Sequence, residues 1–74
     1  MHRKEAISLN SVEIGKRLKA LRGTQTPDFV AESLGISRSA LFMYERGERV
    51  PRDEIKIRIA RFYNCSVEDI FFTV

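Results

Sequence analysis

Of the side chains that carry nucleophilic or acid–base chemistry, this 74-residue chain holds one histidine, His2, and one cysteine, Cys65. A nucleophilic triad needs a base oriented by a third group, and a lone imidazole at the second residue of a terminus expected to fray supplies none. The same shortage leaves no His/Cys set at metal-ligand spacing and no partner for an internal disulfide. The carboxylate pairs Asp53/Glu54 and Glu68/Asp69 are adjacent at the starts of expected helices, where they complement the macrodipole rather than form a hydrolytic pair. Neither an enzyme nor a metal or cofactor site is expected. What remains is the chemistry of cationic and hydroxyl donors, and it gathers in the segment "GISRSALFMYERG", where Arg38 and Arg46 flank Ser39, Phe42 and Met43.

Phe42, Met43 and Tyr44 stand side by side, and successive helical residues are turned by about 100°, so all three cannot point inward. With Leu41 and Tyr44 directed inward, the opposite face presents Arg38, Ser39, Phe42, Met43 and Arg46. The question becomes what positions that face.

Four or five short helices account for most of the chain. Asn10, with Glu13 three residues on, opens a first helix over about 11–22, in which Ile14, Leu18 and Leu21 recur at helical spacing before Gly23 stops it. Thr26 caps a second helix, about 27–34, and Pro27 sits at its first position, where a missing N–H costs nothing. Val30, Ala31 and Leu34 form its inward stripe and Gly35 ends it. Only Ile36 separates Gly35 from Ser37, which caps a third helix over about 38–46, with Ile36 and Leu41 placed as a hydrophobic staple. Two helices turned sharply within three residues are a helix-turn-helix.

The segment "DEIKIRIARFYN" scores two ways. Ile55, Ile57 and Ile59 alternate with charged residues as in a strand, yet Ile55, Ile59, Phe62 and Tyr63 fit a helical face over about twelve residues with no second strand to pair. A helix over 53–63 is expected. Ser66 and Asp69 form a weak capping box, with Cys65 and Ile70 as its staple, for a short helix over 67–72. Residues 1–9 are expected to be a flexible arm, and 10–74 a single domain. The fold class expected is all-α, a compact helical bundle.

Composition agrees with a soluble globular chain, 43% hydrophobic and 31% charged, with no apolar stretch approaching the ~18 residues of a membrane span and no secretory segment. A cytoplasmic location is expected. The net charge of +3 allows an anionic partner without demanding one. Its excess lies in residues 1–24, which hold six Lys/Arg against two Glu.

In a helix-turn-helix the second helix lies in the DNA major groove, which is wide enough for one helix, and its N-terminal residues reach base edges. Arg38 can donate bidentately to guanine and Ser39 can donate or accept. Phe42 and Met43 can offer only apolar contact, to thymine methyls; the alternative is a rotated helix that packs them in the core or in a dimer interface. Phosphate contacts are expected from Arg46, Arg49 and Arg52 around the loop after the third helix, against solvated surface charge as the alternative. His2, Arg3 and Lys4 could reach the duplex, though a frayed terminus is the simpler reading.

From Ile14 to Phe72 the sequence resembles the lambda Cro/cI-like (Xre-type) helix-turn-helix DNA-binding family of bacterial and phage transcriptional regulators. The matching pieces are "IGKRLKALRG", "VAESLGISRSALFMYERGERVP" and "IARFYNCSVEDIF". The resemblance implies a five-helix, lambda-repressor-like bundle acting as a homodimer on a pseudo-palindromic operator, often as a repressor, with base reading at Arg38, Ser39, Phe42 and Met43. It also implies an ion pair between Arg22, ending the first helix, and Glu45, ending the third. The family commonly opens its second helix with Ser-Gln, the Gln contacting a phosphate; here the residues are Thr26-Pro27. Proline has no donor, so that contact is lost or passes to Thr24, Gln25 or Thr26. Phe71, Phe72 and Val74 are the candidate dimer surface, with core packing as the alternative for at least one. The rival reading keeps the fold and drops the DNA: an antitoxin-like or regulatory interaction module with Phe29, Phe42 and Met43 as a protein-binding patch.

Overall fold

The computed structural model describes residues 7–73. In chain order it comprises β1 (Ile7–Ser8), α1 (Ser11–Arg22), α2 (Pro27–Leu34), α3 (Arg38–Glu45), α4 (Asp53–Tyr63), α5 (Val67–Phe71) and β2 (Phe72–Thr73). Four of the five helices begin at a side-chain cap. Asn10 Oδ1 accepts from Glu13 N–H at 2.8 Å, Thr26 Oγ1 from Phe29 at 3.2 Å, Ser37 Oγ from Ala40 at 2.9 Å and Ser66 Oγ from Asp69 at 3.0 Å. Each satisfies an amide that the helix leaves without a partner. The segment that scored both ways is helical, because Ile55, Ile59 and Ala60 are buried together as a helical stripe while Ile57 stays 45% exposed.

One core joins the helices. Ile14 and Leu18 of α1, Val30, Ala31 and Leu34 of α2, Leu41 and Tyr44 of α3, Ile55 and Ile59 of α4 and Ile70 and Phe71 of α5 are all buried in it. Leu21, Ile36, Phe62, Tyr63 and Cys65 pack against its margin. Gly15 sets how closely α1 and α3 approach: a Cβ there would fall against the carbonyl of Glu45 and 2.8 Å from that of Tyr44. A glycine inside a helix costs about 1 kcal/mol relative to alanine, and here the close backbone contact offsets it.

The expected bundle therefore carries a small addition at its edge. β1 and β2 pair antiparallel, Ile7 opposite Thr73 and Ser8 opposite Phe72, and the amide of Leu9 donates to the carbonyl of Phe71 at 3.1 Å. Within the arm expected over residues 1–9, residues 7–9 take part in backbone hydrogen bonds and Leu9 packs on the core. His2, Arg3 and Lys4 lie outside the described residues, as does Val74. The last helix ends at Phe71 rather than 72, because Phe72 turns to an extended conformation, φ −133° and ψ 160°, to join β2. Phe71, expected at a dimer surface, is 1% exposed and belongs to the core. Among the described residues no helix is long and apolar enough to cross a membrane.

Candidate functional site

The turn between α2 and α3 is built from Gly35, which takes the left-handed conformation at φ 70° and ψ 33° that glycine adopts without steric cost. Its amide donates to the carbonyl of Glu32, and that of Ile36 to the carbonyl of Ala31. Ile36 then packs on the core as Ser37 caps α3. Arg58 of α4 reaches across to the same corner, and its Nη1 donates to the carbonyl of Leu34 at 3.1 Å. That carbonyl lies in the last turn of α2, so a cation from α4 supplies both a hydrogen bond and a favourable charge at the helix C-terminus. Nothing in the spacing of Arg58 announces this contact; it depends on how α4 crosses α2.

The far end of α3 is held by an ion pair. Arg22 Nε donates to Glu45 Oε2 at 2.7 Å and Nη2 to Oε1 at 3.0 Å, a bidentate fork, and Nη1 donates to the carbonyl of Gln25 at 3.1 Å. One guanidinium thus ties the end of α1, the 23–26 turn and the end of α3. The side chains of Arg22 and Glu45 are 14% and 4% exposed, so the pair is largely removed from water. The hydrogen bond that Arg22 donates to Glu45 raises the Arg22 pKa against the opposing effect of burial, so this guanidinium is held in its charged form. Tyr63 lies nearby; burial, then the Glu45 carboxylate, push its phenol up to about 12.

With both ends of α3 fixed, its faces divide cleanly. Leu41, Tyr44 and Glu45 are buried, Arg38 and Ser39 are exposed, and Phe42 and Met43 are half-buried at the rim without joining the core. Arg46 is not in the helix as expected but caps its C-terminus, its amide bonding to the carbonyl of Phe42. Arg38 Nη1 lies 3.3 Å from Asp28 Oδ1 on α2, and its guanidinium sits 5.7 Å from the centroid of the Phe42 ring.

The cations expected at phosphates, Arg46, Arg49 and Arg52, are all exposed. Arg46 Nε lies 3.0 Å from Glu48, and Arg52 Nη2 3.9 Å from Glu54. All of these side chains are more than half exposed, and pairs of this kind contribute about 0–1 kcal/mol, so an anionic ligand can displace them. Among the described residues Arg49 pairs with no carboxylate. Arg49, Arg52 and Arg58 line a polar concavity of about 450 Å³ together with Ser37 and Tyr44. Gln25 and Thr26 are exposed at the start of α2, where Thr26 Oγ1 already accepts the capping bond and Pro27 brings no N–H. Phe29, expected in an apolar patch with Phe42 and Met43, is 54% exposed but leans on Phe62 of α4, ring centroids 6.2 Å apart. Its neighbour and that of Phe42 are thus different.

Besides Arg58, sequence reasoning missed two residues here, Asp28 and Gly15. Asp28, in the first turn of α2, has no place in the sequence reading. Gly15 carried a signal in retrospect, since a glycine within a helical stripe asks for a close neighbour.

Comparison with known proteins points the same way. A helix-turn-helix family model matches residues 14–70. An uncharacterized HTH-type transcriptional regulator of Methanocaldococcus jannaschii is 35% identical over 46 residues, spanning 62% of this chain and 70% of that protein. Another, of Archaeoglobus fulgidus, is 32% identical over 57 residues, spanning 74% of this chain and 80% of that protein. The restriction-modification controller protein C.AhdI of Aeromonas hydrophila superposes with a TM-score of 0.73 at 26% identity, covering 81% of this chain and 94% of its own. The clp gene regulator ClgR of C. glutamicum gives 0.72 at 25%, covering 84% and 83%.

Proposed function

The chain belongs to the Xre-type, Cro/cI-like helix-turn-helix family of transcriptional regulators, and from that premise we propose that it reads a specific double-stranded DNA sequence and represses transcription by occupying its operator. The observation that carries this reading is the division of α3. Its inner residues are committed to the core and to Arg22, while Arg38, Ser39, Phe42 and Met43 share a face that the core does not use. A helix presented in this way fits the major groove, and its two N-terminal donors stand where base edges are reached.

In this reading Arg38 donates to guanine O6 and N7, Ser39 exchanges a hydrogen bond with a neighbouring base, and Phe42 and Met43 pack on thymine methyls. Arg49 and Arg52 contact phosphates on one side of the groove, joined by Arg46 once it leaves Glu48. Gln25 and the Thr26 hydroxyl, which can still donate, contact phosphates on the other. A homodimer on a pseudo-palindromic site would place two such helices one turn of DNA apart. Of the residues considered for its interface, Phe72 remains partly exposed while Phe71 does not.

Selection of bound fragments from random duplex DNA, followed by gel shift over a salt series, tests the proposal. The expected result is a two-fold symmetric consensus whose binding weakens steeply with salt as phosphate counterions are released. Binding to no duplex at low salt, with salt-insensitive capture of a protein partner, would instead establish the interaction-module reading.

A further inference from the structure

Asp28 stands out as a carboxylate on the face proposed to meet a polyanion. It lies in the first turn of α2, is 74% exposed in its side chain, and its only ionic partner among the described residues is Arg38, at 3.3 Å. Arg38 is itself 60% exposed and is flanked by the Phe42 ring. The guanidinium proposed to read a base is therefore held between a carboxylate on one helix and an aromatic face on its own. Both contacts favour one direction for its fork.

Resting on the DNA-binding reading above, we infer that Asp28 is a positioning residue for Arg38 that sharpens sequence discrimination by withholding the Arg38 charge from duplexes that lack its base. An exposed pair of this geometry holds its partner by a factor of about two to five. On a duplex without a guanine under Arg38, no fixed base acceptor competes with Asp28, and a phosphate must draw the guanidinium away from it. Its charge is then shared with Asp28 rather than given wholly to a phosphate, and Asp28 adds repulsion, so non-specific binding is weakened by the small factor that such an exposed pair supplies. On a duplex with the guanine, the five donors of the fork allow Arg38 to keep Nη1 toward Asp28 while Nε and Nη2 turn to the base. There the orientation supplied by Asp28 offsets its repulsion. The carboxylate thus costs affinity where the sequence is wrong and little where it is right.

The test is a comparison of two duplexes, one selected from a random library by the wild-type protein and one scrambled from it, each titrated over a salt series with wild type, Asp28→Asn, Arg38→Ala and the double variant. Asp28→Asn is isosteric and leaves the Thr26 cap and Pro27 in place, and thermal unfolding checks that it folds. The expected result is a gain of about three- to tenfold in affinity for the scrambled duplex, with a salt slope steeper by about one, and less than twofold change on the selected duplex. In the Arg38→Ala background the same change should shift both duplexes equally, and Asp28→Glu should restore discrimination. If wild type binds and discriminates but Asp28→Asn leaves the ratio unchanged, or narrows it equally without Arg38, the role of Asp28 is refuted and the DNA-binding reading stands. If wild type binds no duplex, or selects no common sequence, both fall.

Discussion

Glu45 is the buried carboxylate of the described core, and its two oxygens accept from Nε and Nη2 of one arginine. Replacing either partner leaves the other charged and away from water, which costs far more than the intact pair is worth relative to apolar side chains. Arg22→Ala and Glu45→Ala are each expected to destabilise by about 3 kcal/mol in urea unfolding, and the double variant by much less than their sum. Tyr63 makes the neighbourhood sensitive to alkali. Its folded pKa of about 12 stands above its ordinary 10, so the folded state holds a proton that the unfolded chain releases first. The stabilisation is complete below pH 10, declines as pH rises from 10 to 12 and is lost above 12, an effect that solvent screening of this partly exposed ring reduces to about 1 kcal/mol. Tyr63→Phe should flatten that decline in stability measured between pH 9 and 12.

At the scale of elements, the contact between α1 and α3 depends on having no side chain at Gly15. Gly15→Ala, favourable for an isolated helix, is expected to destabilise by about 1–3 kcal/mol because the helices must separate, and thermal unfolding by circular dichroism reads the sign directly. Ser37→Ala removes the cap of α3 and is expected to cost about 1 kcal/mol. Here the sequence was most legible, since caps at Asn10, Thr26, Ser37 and Ser66 are local chemistry that three or four residues declare. The stripes of Ile14/Leu18 and Val30/Ala31/Leu34 were legible for the same reason. The ion pair of Arg22 with Glu45 was legible only through family resemblance, being 23 residues apart. Contacts between elements far apart in sequence were opaque: Gly15 against α3, Arg58 on Leu34, and Arg38 on Asp28 depend on crossing geometry that no single segment encodes. In the proposed site, the exposed face of α3 could be read from periodicity, but the carboxylate that holds its first arginine could not.

For the molecule as a whole, the edge pairing of residues 7–9 with 71–73 closes the chain on itself. A 74-residue protein buries only about 60% of its unfolded surface, so small additions to the core matter. Deleting residues 1–9 removes the β1–β2 hydrogen bonds and uncovers the core where Leu9 packs. The expected loss is about 1–2 kcal/mol, seen as a fall in melting temperature of about 4–8 °C per kcal/mol, with Leu9 N–H exchange in the intact protein as an independent check. The extent of this closure was hidden in the sequence, where "MHRKEAISLN" is polar and two-residue strands leave no period to detect. Phe71 and Phe72 show the same limit, for adjacent aromatics of one type fall to opposite roles, core and edge strand.

The anchoring of α3 from behind has a consequence for how this surface can change. Its stability resides in Leu41, Tyr44, Glu45 and the Ser37 cap, none of which belongs to the proposed reading face. Positions 39, 42 and 43 can therefore be randomised together as an interchangeable alphabet on a fixed frame. Position 38 alone is not freely rewritten, because every residue placed there must be spelled beside Asp28.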